Sequence, residues 1–246
     1  FERVFVPPCP ADDGNAIGAA LLAWMKETGA ERVPSGDGSP FLGAELGAAA
    51  AAKCRHAARG LQVTDVQGRS AEAVAERLAA GRIVGTARGR AEFGPRALGN
   101  RSILADPRPA EMKDRINARV KGREAYRPFA PVIEEGEAAA WFERAQPSPY
   151  MSFALRWRTG VLDRLPAVVH ADGTGRVQTV SRDSQPWMTD LLAALGRTTG
   201  TPVILNTSFN VMGKPIVHSI EDAFAVLMTT GLDAVLCDDL LIEKPS

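Results

Sequence analysis

Residues 82–102 read RIVGTARGRAEFGPRALGNRS. The first eight, RIVGTARG, form a short apolar run bounded by glycine, the pattern of a buried strand. That strand delivers the chain to Gly89, and glycines at 89, 94 and 99 free the backbone to turn sharply or to approach a ligand closely. Pro95 stiffens one corner. Arg96 and Arg101 then present guanidinium forks suited to phosphate or carboxylate, with Glu92 either orienting a fork or serving as its internal partner. Taken alone, the motif is read equally well as an anion cradle or as a loop tied down by Arg–Glu pairs.

Working outward, helices and short apolar strands alternate, which predicts an α/β fold whose mixed, partly parallel sheet is covered by helices. FERVFVPP at the start looks like a strand, and AIGAALLAWMKETG a helix ending at Gly29. Residues 31–44 carry the Pro, Gly and Ser of a linker. ELGAAAAAKCRHAARG then suits a helix of high alanine propensity. From Leu61 onward LQVTDV, MSFALRW, RVQTV and PVILN are strand candidates, and DAVLCDDLLIEK a strand or hairpin. AEAVAERLAAG, with Ser70 as its cap, AEMKDRINARVKG, TDLLAALGRTTG and SIEDAFAVLMTTG are helices; Ser219 and Asp222 stand at capping-box spacing before the last. Phe129, Trp141, Phe142, Phe153 and Trp157 fall in such elements and read as core. The expected division is residues 1–30 as the end of one domain, 31–60 as a joint, and 61–246 as a second domain.

Lys+Arg and Asp+Glu are both 29, so no net field advertises a nucleic acid or a membrane. The balance is not local: residues 82–127 hold twelve Arg/Lys against five Asp/Glu, a net +7. A basic centre in a neutral chain suits a small polyanion better than a polyelectrolyte. Cys9, Cys54 and Cys237 lack CxxC spacing, so neither a disulfide framework nor a zinc cluster is expected, and a reducing, cytoplasmic setting fits. No apolar run approaches the ~20 residues of a membrane span. Phe1 is not an initiator methionine, which points to a piece of a longer protein.

Three further stretches share the character of the opening motif. VKGREAYRPFAP places Lys121, Arg123 and Arg127 directly after a helix. HADGTGRVQTV sets His170, Asp172 and Arg176 around two glycines. LNTSFN ends an apolar strand with Asn206, Thr207, Ser208 and Asn210, short hydrogen-bonding side chains where ligands sit in α/β sheets. Each alone is an ordinary polar turn; four together suit a nucleotide phosphate beside a planar acid.

GRAEFGPRALGNRSILADPR, followed in order by INARVKGREAYRPFAP, HADGTGRVQTV and LNTSFNVMGKPIV, resembles the C-terminal region of the O-carbamoyltransferases of the nodulation-factor and cephem type, over about residues 61–244. The resemblance implies a YrdC-like domain with a twisted mixed sheet and flanking helices. It also implies the chemistry: carbamate derived from carbamoyl phosphate attacks ATP, giving carbamoyl-adenylate and pyrophosphate, and the carbamoyl group passes to a hydroxyl of a sugar or natural product. On it, Lys121 and Arg127 are expected at the triphosphate or the carbamate carboxylate, and Arg176 as a bidentate clamp on the acid. Arg96 and Arg101 either share phosphate contacts or brace the loops. Asp172, Asn206, Ser208 and Asn210 are expected around the adenylate, with Mg²⁺ on the phosphates.

VPPCPADDGNAIGAAL is similar to the last motif of that family's other domain, a metal-binding member of the actin/Hsp70-like ATPase superfamily. By position Asp12 would be a carboxylate ligand to Fe²⁺. The histidine ligands would lie upstream, so the metal site is expected to be incomplete in this chain. His56, His170 and His218 lack the spacing to replace them. The N-terminal domain is therefore an expected partner. Two other readings remain: an RNA-gripping module using residues 82–127, disfavoured by the neutral net charge and 6% aromatics, and threonylcarbamoyl-adenylate synthesis. A third is that this half is inactive without its partner.

Overall fold

The computed structural model describes residues 4–33 and 38–245. Its centre is a nine-stranded mixed sheet. The strands are β1 (Gln62–Asp65), β2 (Val84–Ala87), β3 (Arg101–Ala105), β4 (Ala130–Glu134), β5 (Phe153–Arg156), β6 (Thr174–Val180), β7 (Ile204–Ser208), β8 (Ala234–Cys237) and β9 (Leu240–Glu243). Their order is β1-β9-β8-β2-β3-β7-β4-β6-β5. β2 pairs parallel with β8 and β4 with β6; the other neighbours are antiparallel.

Consecutive side chains of a strand point to opposite faces, and here both faces are apolar. Ile83, Ile103, Ile133, Leu205 and Val235 face one core. Their neighbours Val84, Leu104, Val132, Ile204 and Leu236 face the other. A strand buried on both sides reads as a continuous apolar run, which is why RIVG and PVIL show no polar alternation. The second core is closed by α3 (Ser70–Ala79) and α6 (Pro186–Thr199). The first is closed by α2 (Ala50–Ala57), α4 (Met112–Ile116), α5 (Ala138–Trp141) and α7 (Ile220–Thr229). The capping box expected at Ser219 and Asp222 is present in full before α7.

Several local expectations are corrected. Val4–Pro8 form no strand, and residues 1–3 lie outside those described. The alanine-rich helix is only α2, eight residues long. Propensity alone does not extend a helix that buries just Ala50 and Cys54. Ser70 is helical rather than a cap, and its Oγ accepts from Trp187 Nε1 at 3.0 Å. RSILA, read as the tail of the motif, is the interior strand β3. Of the joint at 31–60, residues 34–37 lie outside those described; residues 40–44 are laid along the motif, with Gly43 N donating to Ala91 O at 2.9 Å and Ala91 N to Ala44 O at 3.0 Å.

The first helix, α1 (Asn15–Thr28), buries none of its residues; Leu22 is 69% exposed. It is preceded by a single 3-10 turn at Asp12–Gly14. Among the described residues, no helix is long and apolar enough to cross a membrane.

Candidate functional site

The loop between β2 and β3 is shaped from within. Glu92 Oε1 accepts three backbone N–H groups, from Leu98 at 2.7 Å, Asn100 at 2.8 Å and Arg101 at 3.2 Å. One carboxylate oxygen thereby gathers three amides of GPRALGNR, a compact anion-and-amide arrangement. Gly94 sits at φ 119°, and a Cβ there would stand 2.7 Å from Pro8 O, so glycine is required for both conformation and room.

Arg101, on the inner side of this loop, is fully buried. Its guanidinium donates to the carbonyls of Arg88, Asn100, Ala44 and Gly89. Of the two roles open to it in the sequence, it takes the bracing one in this structure. Arg96, five residues earlier, is exposed and faces a cleft.

That cleft measures about 210 Å³ and gathers residues from four distant stretches. Arg96 and Ala97 come from the motif, Arg123 and Arg127 from the turn before β4, Arg176 from β6, and Asn206, Thr207 and Ser208 from β7. Antiparallel pairing of β7 with both β3 and β4 places the polar end of LNTSFN between the two basic loops. The four arginines form no ion pair with any carboxylate among the described residues. No acid lines the cleft. Burial, then the like charges of Arg96 and Arg123, push Arg176 down to about 10. Arg123 is also lowered to about 10, by burial and then by Arg127. It is steadied by a 2.7 Å bond from its Nε to Asn117 Oδ1 and by stacking on Phe129.

Asn206 is buried; its amide nitrogen donates to Gln178 Oε1 at 2.8 Å and to Ala97 O at 3.2 Å, while its Oδ1 has no partner. A buried polar atom without a partner is unusual, and here it belongs to a residue of the cleft wall.

Lys121 lies behind this wall rather than in it. α4 runs into a π-helical turn (Asn117–Lys121) that ends at Gly122, φ 60°, and this wider turn carries Lys121 inward. Its Nζ donates to Ser208 O at 2.7 Å, Ser208 Oγ at 3.2 Å and Asn210 O at 3.0 Å, and also to Asn210 Oδ1. Burial, with Arg123 and Arg127 nearby, pushes it down to about 7. Asn210 stands on the same far side of Ser208 and donates to Lys214 O.

The remaining sequence candidates lie apart from the cleft. Asp172 is exposed and caps its own turn, accepting from Thr174 N and Thr174 Oγ1, whose bonds lower its pKa. Asp12 sits in the exposed turn before α1, and the described residues contain no cluster of three or more His, Cys, Asp or Glu fit to hold a metal. A lone carboxylate does not by itself make an iron site.

The sequence singles out Arg123 and Thr207 without giving either a role, and gives no special place to Gln178. The signal for Arg123 was its place between Lys121 and Arg127. For Gln178 it was a polar residue at an inward position of RVQTV.

Residues 75–244 match the family model described as carbamoyltransferase C-terminus. The chain belongs to that family. Among curated relatives, this carbamoyltransferase C-terminus is 44% identical over 251 residues to nodulation protein NolO of Bradyrhizobium diazoefficiens, covering 99% of this chain and 45% of that protein. It is 39% identical over 246 residues to nodulation protein U of Sinorhizobium fredii, covering 100% of this chain and 41% of the other. It therefore spans less than half the length of these relatives. Among solved structures, the HypF protein of T. kodakarensis overlaps 74% of this chain and 22% of its own, at 20% identity and a TM-score of 0.47, an overlap too partial to bear on function.

Proposed function

We propose that this chain forms carbamoyl-adenylate from ATP and carbamate, as the adenylating half of an ATP-dependent O-carbamoyltransferase. The observation that carries the reading is the cleft of four guanidiniums with no counter-carboxylate, lined also by Asn206, Thr207 and Ser208. Uncompensated, partly buried like charges are costly unless an anion joins them. A carbamate and a phosphate chain supply that anion.

In the proposed step a carbamate oxygen attacks the α-phosphorus of ATP, the α–β phosphoanhydride bond breaks, and pyrophosphate leaves. Anion meets anion, so catalysis is chiefly charge neutralisation and alignment. Arg176 and Arg96 hold the acid and the α-phosphate, while Arg123 and Arg127 hold the departing pyrophosphate. Lys121 acts as a positioning residue, fixing Ser208 and Asn210. With no carboxylate in the cleft, Mg²⁺ would be carried by the phosphates themselves, shielding their charge. At about 210 Å³ the cleft falls below the roughly 300–1,000 Å³ of most small-molecule sites, so it suits the reacting end of the nucleotide rather than all of it.

Carbamoyl phosphate cleavage and the hydroxyl acceptor, a sugar or natural product, belong in this reading to the part of the relatives upstream of the matched region. The test is isotope exchange between pyrophosphate and ATP by the purified chain, with carbamate supplied from ammonia and bicarbonate. Exchange that falls roughly 10²–10³-fold in R176Q is the expected result. A wild-type rate in R176Q, or exchange that ignores carbamate, overturns the assignment.

A further inference from the structure

Outside the cleft, a partly buried arginine stands on an aromatic ring without an ionic partner among the described residues. Arg88 follows directly on β2, and its guanidinium lies over the Trp187 ring, 4.2 Å from the centroid. Its Nε is buried with no hydrogen-bond partner, and among the described residues it forms no ion pair. Burial lowers its pKa; Asp238 and Asp239 act on it only through space and oppose that shift. Asp238 is otherwise engaged, accepting from Gly89 N at 2.9 Å. A guanidinium stacked on an aromatic face keeps its edge, with the N–H fork, available to an in-plane oxyanion.

Arg88 lines a cavity of about 240 Å³ together with Phe41, Asn100, Gln185 and Trp187. A second cavity of about 330 Å³ shares Phe41, Ser184 and Gln185 with it and extends to Tyr150. The two form one groove with three aromatic rings in its walls. None of its lining residues lines the arginine cleft; the 95–100 loop turns Arg96 and Ala97 to the cleft and Gly99 and Asn100 to the groove.

The chemistry selects a ligand class. One unpaired fork calls for one oxyanion. Aromatic walls call for a flat ring behind it. The exposed carboxylate of Asp183 lines the second cavity and disfavours a chain of phosphates. We propose that this groove is a second ligand site, taking a small ring-bearing monocarboxylate whose carboxylate pairs with Arg88 and whose ring lies among Phe41, Tyr150 and Trp187.

The test uses the purified chain with benzoate as the probe, followed by calorimetry and by saturation transfer from protein to the ring protons. Saturable benzoate binding is expected. It should weaken roughly tenfold to a hundredfold in R88Q, the fold-change of a charge-assisted hydrogen-bond pair. In R88K, which keeps the charge and loses the fork, the loss should be smaller, and this variant carries the test if R88Q does not fold. R176Q should bind benzoate as wild type does, and inorganic phosphate should not displace it. Absence of saturable binding at millimolar benzoate, wild-type affinity in both Arg88 variants, loss in R176Q, or displacement by equimolar phosphate would each overturn the proposal.

Discussion

Lys121 offers the sharpest physical test, because its amine is buried at 3% exposure and pairs with no carboxylate among the described residues. The perturbation is K121M, which keeps the length and apolar stem and removes the titrating group. In the unfolded chain the lysine titrates near 10.5, in the folded protein near 7. Between those values the unfolded state binds more protons, so folding stability rises with pH across that window and is lost as pH falls through 7. At about 1.4 kcal/mol per unit the full depression corresponds to at most about 5 kcal/mol. The oxygens of Ser208 and Asn210 around Nζ favour the ammonium, so an effect of about 1–3 kcal/mol is expected. The assay is urea unfolding of both proteins at pH 6.5, 8 and 9.5, read as wild type minus K121M, in which all other titrations cancel. That difference should grow more favourable to wild type as pH rises. A difference flat over the range would mean that Lys121 titrates normally, and the account of its burial would be wrong.

Two further outcomes follow from the motif. E92A leaves the N–H groups of Leu98, Asn100 and Arg101 without their acceptor. It should cost about 2–4 kcal/mol in urea unfolding, and E92Q about half of that; a loss under about 0.5 kcal/mol would show that the loop holds its shape unaided. R101Q should lower the melting temperature sharply, since it frees carbonyls from three segments, while nucleotide affinity of the folded fraction changes little. Loss of nucleotide binding with unchanged melting would instead return Arg101 to the phosphates.

Much of the architecture was legible because a sheet covered on both faces writes its interior strands as apolar runs between glycine-bounded helices. β2, β7 and the β8–β9 hairpin stand out that way. β3 does not, since its arginine belongs to the motif and only SILA remains as strand signal. The cationic cleft was legible in composition: Arg96 and Arg127 lie beside proline in loops, Arg176 follows Gly175 at the start of a strand, and the cleft gathers all three. Direction was not legible. Arg96 and Arg101 share a loop and a residue type, yet one fork faces the cleft and the other is spent on the chain's own carbonyls. Lys121 sits two residues before Arg123, but a π-helical turn sends it behind Ser208. Such choices depend on the path of segments far away, such as residues 40–44 against the motif, and no local pattern encodes them.

The wide turn at Asn117–Lys121 has a consequence for how this segment can vary. Each residue of an ordinary helix advances its side chain by about 100°. Removing one residue there would let the turn tighten to α-helical winding and swing the ammonium out of the space under Ser208, carrying Arg123 and Arg127 with it. Side chains on the outer face can change freely, but the spacing from Met112 to Arg127 is fixed by geometry. Length, more than identity, is the quantity that this stretch must preserve.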